Sequence, residues 1–250
     1  MKVLIATEKP FAAVAVDGMR KVIEEAGAEL MLLEKYTDRK DLLAAVATAD
    51  ALIIRSDKVD AEVIAAAPNL KVVVRAGAGY DNVDLEAATA AGVCVQNTPG
   101  QNSNAVAELV FGLAVMMCRN MYNGTSGTEL KDKTLGIQAF GQVGRNVARI
   151  ARGFEMKVSA IDPYCPDNVM EDAGVTPVHS VADLYRNNKV VSIHIPATSE
   201  TRKSIGYELI ASMPKGGLLI NTARKEVIDE EGLIRALDER PDIKYAADVA

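Results

Sequence analysis

A chain of 250 residues, 49% hydrophobic and 25% charged, has ordinary globular composition and enough length to bury a core. A formal net charge of −6, with 28 Lys and Arg against 34 Asp and Glu, argues against a nucleic-acid partner, because phosphate binding needs a clustered cationic excess. Cys94, Cys118 and Cys165 are widely spaced with no C-x-x-C pair, so neither a disulfide framework nor a zinc site is expected, and the longest apolar stretch, 105–118, is interrupted by Glu108 and too short for a bilayer.

Short Val, Ile and Leu runs alternate with longer amphipathic runs, the pattern of βαβ units around parallel sheets buried on both faces. In chain order, strands are predicted near 2–6, 29–34, 50–54, 70–75 and 93–96, with helices near 12–26, 38–48, 60–67 and 84–91 between them. The turn Asn97-Thr98-Pro99-Gly100 then separates a first domain, 1–98, from a second, 99–250, and Ser103 or Asn104 is expected to cap a helix running to Cys118. In the second domain, strands are predicted near 134–139, 157–161, 189–195, 217–221 and 243–249, with helices near 142–154, 180–187, 206–212 and 229–239. The fold class is α/β: two Rossmann- or flavodoxin-like domains with parallel sheets. Because the sequence ends at a predicted strand, Asp248-Val249-Ala250, the second domain is expected to be incomplete at its C-terminus. The composition and the absence of a leader or long apolar span suggest a reducing, cytoplasmic setting with no membrane partner.

The run Gly136-Ile137-Gln138-Ala139-Phe140-Gly141-Gln142-Val143-Gly144 is a strand passing at once into a helix, and it reads A-x-G-x-x-G, with Ala139 in place of the first glycine. Gly141 would let backbone approach a pyrophosphate, Gly144 would let helix and strand pack closely, and the helix start at Gln142 and Val143 would attract the phosphates. By itself this is equally a tight turn that binds nothing. The following strand ends in Asp162, whose carboxylate can accept from both ribose hydroxyls and would repel a 2′-phosphate; taken alone, it is also an ordinary turn residue before Pro163. Together the two features favour an NAD site.

Five further segments, in order, are Arg55-Ser56-Asp57-Lys58-Val59, Arg75-Ala76-Gly77-Ala78-Gly79-Tyr80-Asp81-Asn82-Val83-Asp84, Asn97-Thr98-Pro99-Gly100-Gln101-Asn102, Ser192-Ile193-His194-Ile195-Pro196 and Asn221-Thr222-Ala223-Arg224. With the glycine turn they resemble the D-isomer-specific 2-hydroxyacid dehydrogenases, and the phosphoglycerate dehydrogenase branch looks closest. The resemblance implies a substrate-binding lid in the first domain, completed by a C-terminal return helix, an NAD-binding second domain, and substrate in the cleft between them. It implies that Gly77 and Ala78 cradle the substrate carboxylate, that Asn102 borders the substrate, and that Arg224 holds the carboxylate and polarises the C2 oxygen. On local sequence alone these are a strand-ending turn, a helix-start residue and a surface charge. It also places His194, Pro196, Thr222, Ala223 and Asp248 on the cofactor side. His194 is read there as a hydrogen-bonding group of the turn, not as a general base.

For a phosphorylated 2-hydroxyacid substrate, Arg55, Lys58 and Arg75, with Lys9, are candidate cations at predicted strand ends; the alternative is scattered surface charge. Lys225 stands where the family usually has glycine. The family's acid/base, a histidine in a Thr-Pro-His loop supported by a glutamate, is absent from these 250 residues, which are therefore expected to be part of a longer enzyme. The implied reaction is NAD-dependent oxidation of 3-phosphoglycerate, with a hydroxypyruvate or glyoxylate reductase as the enzymatic alternative and a non-catalytic NAD-binding sensor as an alternative of another class. An apolar face around Phe111, Val115, Met116 and Tyr122, together with the family habit, suggests a homodimer.

Overall fold

Apart from a two-residue edge strand in the second sheet, strands of four to six residues built mainly from Val, Ile, Leu and Ala form both sheets, because only a strand covered on both faces can be apolar along its whole length. The computed structural model describes residues 1–248, and the chain divides into two units between Gln101 and Asn102, slightly later than the turn at 97–100 suggests.

The first unit alternates β1 (Lys2–Thr7), α1 (Ala13–Glu25), β2 (Glu29–Glu34), α2 (Arg39–Val46), β3 (Ala51–Ile54), α3 (Ala61–Ala65), β4 (Val72–Arg75), α4 (Leu85–Ala90) and β5 (Cys94–Asn97). All pairings are parallel and the order is β2-β1-β3-β4-β5, the flavodoxin-like arrangement. Position in the sheet sets burial: Val3 to Ala6 of central β1 are buried, whereas edge strands β2 and β5 are half exposed. Asp38, Asp60 and Asp84 cap α2, α3 and α4 by accepting from Lys40, Val63 and Ala87 N–H groups, each cap worth about 1 kcal/mol.

The second unit contains α5 (Ser103–Cys118), β6 (Thr134–Gln138), α6 (Gln142–Gly153), β7 (Lys157–Ile161), α7 (Asp167–Asp172), β8 (Thr176–Pro177), α8 (Val181–Asn187), β9 (Val190–Ile193), α9 (Tyr207–Ala211), β10 (Leu218–Asn221), α10 (Glu230–Glu239) and β11 (Lys244–Ala247). Its parallel sheet has the order β11-β10-β9-β6-β7-β8, the doubly wound dinucleotide-binding arrangement with its reversal between β6 and β9. The sixth strand is the two-residue β8, in a segment where the sequence predicts no strand, and α7 is likewise additional. β11 ends at Ala247, and position 249 of the expected strand lies outside the described residues.

Neither Ser103 nor Asn104 caps α5. The N-cap is Asn102, without a side-chain cap bond. Ser103 Oγ instead accepts from Asn146 Nδ2 at 3.2 Å and Asn104 Oδ1 from Arg149 Nη2 at 2.7 Å, tying α5 to α6. Phe111 does not belong to an outer apolar face: it is buried and stacks on Phe154 with ring centroids 5.0 Å apart. Met121 and Tyr122 are exposed.

Candidate functional site

In an open parallel sheet, loops at the carboxyl ends of the strands surround a crevice where the strand order reverses. In the second unit this point lies between β6 and β9, and His194 N–H bridges it to Gln138 C=O at 2.9 Å. Ala139, the first residue after β6, has φ 81, a left-handed conformation that favours glycine. Its methyl is accommodated under strain. Ala139→Gly is expected to stabilise the fold by about 0.5–1 kcal/mol, because relief of roughly 1–2 kcal/mol of left-handed strain outweighs the added flexibility of the unfolded chain. A urea midpoint that falls in this variant would contradict the strain.

The next glycines occupy contrasting surroundings. A Cβ built on Gly141 meets nothing within 4 Å, so the backbone there is open to close approach by a ligand. A Cβ on Gly144 would collide with the Ala139 carbonyl oxygen and lie 3.1 Å from Ile137 Cγ2, so this glycine permits the contact of α6 with β6. Val147, Ala148 and Ala151 seal the buried face of α6, and the N–H groups of its first turn, Gln142 to Gly144, carry the partial positive charge of the helix start.

Asp162, just beyond β7, braces this turn. Its Oδ2 accepts from Phe140 N–H at 2.8 Å and its Oδ1 from Tyr164 N–H at 2.9 Å. Each oxygen retains acceptor capacity, so the brace leaves room for ribose hydroxyls. Arg145 Nε donates to Phe140 C=O at 3.2 Å, fixing the other side of the turn. Beneath it, the buried Tyr185 hydroxyl donates to Gln138 Oε1 at 2.8 Å. Sequence reasoning misses this pair, which spans 47 positions; the only local signal is a polar Gln at the end of an apolar strand.

His194 Nε2 lies 2.9 Å from Ser192 Oγ. Burial pulls its imidazole down from the usual 6.5 to about 3, which makes it a neutral hydrogen-bonding group near neutral pH. The unfolded chain protonates this ring near 6.5, so between about 6.5 and about 3 it takes up a proton that the folded state resists. The contribution of neutral His194 to stability is thus intact above that window and declines as pH falls through it. Urea unfolding at about pH 7 and about pH 5 should show a smaller acid-induced loss in His194→Gln than in the unaltered chain; equal losses would refute the assignment.

The loop after β10 carries Thr222, Ala223 and Arg224. Arg224 has an extended backbone, φ −147 and ψ 143, and its Nη1 donates to Ala223 C=O at 2.8 Å. Lys225, in the family's glycine position, opens a short 3-10 turn, Lys225–Val227, and is not among the residues of positive φ, so glycine is not required there. Pro196 and Asp248 are exposed; Asp248 follows β11 directly and Pro196 lies beyond β9.

In the first unit, Arg55 and Arg75 stand at the carboxyl ends of β3 and β4. Lys58 is exposed and its Nζ lies 3.9 Å from Asp60, a carboxylate shared with Arg39. The Gly77 N–H donates to Arg75 C=O at 2.8 Å, so of the two candidate cradle amides Gly77 is already engaged. Asn97 Nδ2 holds Ala78 C=O at 2.7 Å. A Cβ at Gly77 would run into the Arg75 guanidinium, which therefore lies over this glycine. Asp57 is a further group that the sequence reading leaves unassigned. Buried beside β1 and β3, it accepts from Glu8 N–H and the Tyr36 hydroxyl, each at 2.8 Å, and burial, with this hydrogen bond, raises the Tyr36 phenol above its ordinary range.

The second unit fits a dinucleotide on three observations: open backbone at Gly141, a free-standing helix start at α6, and Thr222 Oγ1, buried with no hydrogen-bond partner among the described residues. Leaving such a hydroxyl unpaired costs about 1–3 kcal/mol, which a polar ligand atom at this loop would remove. Among the described residues no group of three His, Cys, Asp or Glu is arranged to hold a metal, and no helix is long and apolar enough to cross a membrane.

Residues 110–250 match the family described as D-isomer specific 2-hydroxyacid dehydrogenase, NAD binding domain. The chain is 39% identical over 233 residues to D-3-phosphoglycerate dehydrogenase of Methanocaldococcus jannaschii, an alignment covering 88% of the chain and 44% of that protein, so it spans less than half of that relative's length. It is 37% identical over 221 residues to hydroxypyruvate reductase of Thermotoga maritima, covering 82% of the chain and 70% of that protein. The structure superposes on the NAD+-bound 3-phosphoglycerate dehydrogenase of Entamoeba histolytica with a TM-score of 0.94 at 47% identity, covering 100% of the chain and 80% of the other.

Proposed function

The chain belongs to the D-isomer specific 2-hydroxyacid dehydrogenases, with NAD as the cofactor of its second unit, and we propose that it serves the oxidation of D-3-phosphoglycerate to 3-phosphohydroxypyruvate, a step of serine biosynthesis. The observation that carries this reading is Arg224: a guanidinium on the same sheet edge as the α6 start and Asp162, beyond what cofactor binding alone requires.

NAD bound at the start of α6 would supply the acceptor for the hydride leaving substrate C2. The residues of this chain bind and orient the reactants and stabilise charge, and the hydroxyl proton goes to a base not assigned among them. The α6 N–H groups and the open backbone at Gly141 bind pyrophosphate. Asp162 accepts from the ribose while holding the turn. Arg224 grips the substrate carboxylate and the C2 oxygen, where charge builds as hydride leaves. In the first unit, the Ala78 amide and the cations Arg55 and Arg75, at or just after the carboxyl ends of β3 and β4, are groups suited to an anionic ligand. His194 is too weak a base for the hydroxyl proton, and His179 is exposed, 3.4 Å from Asp167.

A second reading, reduction of hydroxypyruvate or glyoxylate, is favoured by Lys58, which is drawn toward Asp60 and so less suited to a phosphate. The test combines NAD and NADP titrations with two assays: NADH formation from D-3-phosphoglycerate and NADH consumption with hydroxypyruvate or glyoxylate. The proposal expects NAD preference and faster turnover of the phosphorylated substrate. Faster reduction of the unphosphorylated ones would replace it with the second reading, and NAD binding without either reaction would leave a sensor or an enzyme whose acid/base lies outside these 250 residues.

A further inference from the structure

Asn221, the last residue of β10, is fully buried, and its amide is committed to the loop that carries Arg224. Its Oδ1 accepts from Ala223 N–H at 3.0 Å, and its Nδ2 donates to Arg224 C=O at 2.9 Å. The same Nδ2 lies 3.3 Å from the hydroxyl of half-buried Tyr245 on the neighbouring strand β11, which acts as acceptor. Beyond Arg224 the chain is clamped a second time: Lys203 N–H donates to Glu226 C=O at 2.9 Å and Ile205 N–H to Val227 C=O at 3.1 Å. Only Thr222, Ala223, Arg224 and Lys225 lie between the two clamps, and Asn221 bonds to the backbone of two of them.

A polar side chain buried at the end of a largely apolar strand is costly unless each of its polar groups is paired. Here the pairing is complete and goes mostly to one short loop. Leu218, Leu219 and Ile220, the rest of β10, are apolar and buried, so the sheet itself does not call for an amide at 221. We propose that Asn221 is a positioning residue for Arg224, setting the direction in which its side chain leaves the loop, and that Tyr245 holds the Asn221 amide in the rotamer that does so. This rests on the reading of Arg224 as the carboxylate-binding group.

The test uses the 250-residue chain saturated with NADH and oxalate as a planar carboxylate probe, with affinity measured by calorimetry. Arg224→Ala is expected to lose most oxalate affinity. Asn221→Ala should weaken oxalate about tenfold and Tyr245→Phe about two- to threefold, in the range of coupling between residues of one hydrogen-bond network. NADH affinity should stay within about twofold in both, as it would not after a general disturbance of the unit. In an Arg224→Ala background, neither variant should weaken oxalate further. If Arg224→Ala abolishes binding but Asn221→Ala and Tyr245→Phe leave it unchanged, or weaken it equally without Arg224, this inference is overturned while the function stands. Should the unaltered chain not bind oxalate, or Arg224→Ala have no effect, both fall together. If Asn221→Ala does not fold, Tyr245→Phe decides alone, since it removes a single oxygen and leaves both loop bonds of Asn221 in place.

Discussion

Arg224→Ala is expected to lower kcat/KM of the proposed NAD-linked oxidation by about 10²–10³-fold, the loss typical when one donor to a developing oxyanion is removed. A guanidinium cannot act as the proton acceptor because it stays charged, so the proposed role of Arg224 is binding and charge stabilisation. Loss of a carboxylate anchor raises KM, and loss of polarisation at the C2 oxygen lowers kcat; both should move. Arg224→Lys restores the charge without the planar fork and is expected to recover only part of the rate. NAD affinity should be little changed, since the turn at Gly141 and the carboxylate of Asp162 are untouched. Steady-state kinetics with a parallel NAD titration checks all three points, and an alanine variant with unaltered kcat/KM would remove Arg224 from the mechanism.

Gly144→Val and Gly141→Ala should separate fold from cofactor binding. At Gly144 a Cβ already collides with the Ala139 carbonyl, a backbone atom that cannot swing aside, and valine adds two more methyl groups. Overpacking of this kind costs about 1–3 kcal/mol and pushes the start of α6 away from β6, so Gly144→Val should lower the melting temperature and abolish measurable NAD binding together. At Gly141 the added methyl enters open space. Gly141→Ala should therefore melt like the unaltered chain while binding NAD at least about tenfold more weakly, because the methyl occupies room the pyrophosphate needs. Differential scanning fluorimetry with and without NAD reads both. Unchanged NAD affinity in Gly141→Ala would mean that the phosphates lie elsewhere.

Much of this architecture is legible in the sequence because a strand buried on both faces leaves a run of Val, Ile and Leu that little else produces. Central β1, β9 and β10 fall where such runs predict them, within a residue or two. Thr176–Pro177 leaves no such run: β8 is two residues long and contains a proline, which an edge strand tolerates and periodicity cannot detect. The glycine turn and Asp162 are legible as a motif because their spacing reflects one local βαβ unit. The contacts that tune the site are not, since they join residues far apart in the chain: Gln138 with Tyr185, Asn221 with Tyr245, and Asp57 with both Tyr36 and the Glu8 amide. Nor does composition reveal that Ala139 is held at a positive φ, because that conformation is imposed by the turn geometry around it rather than chosen by alanine.

Asp162 bears on how such a protein can change over evolutionary time. Its carboxylate, proposed to accept from the cofactor ribose, also receives the Phe140 and Tyr164 amides. A lineage drifting toward a 2′-phosphorylated cofactor would have to discard that negative charge, and with it the acceptor that keeps the phosphate-binding turn in shape. One substitution would thus relax discrimination and loosen the turn together. A variant that exchanges Asp162 for a neutral or cationic residue gains the new cofactor only alongside a second change that supplies acceptors for those two amides, so cofactor preference here is guarded by a local fitness valley of two steps.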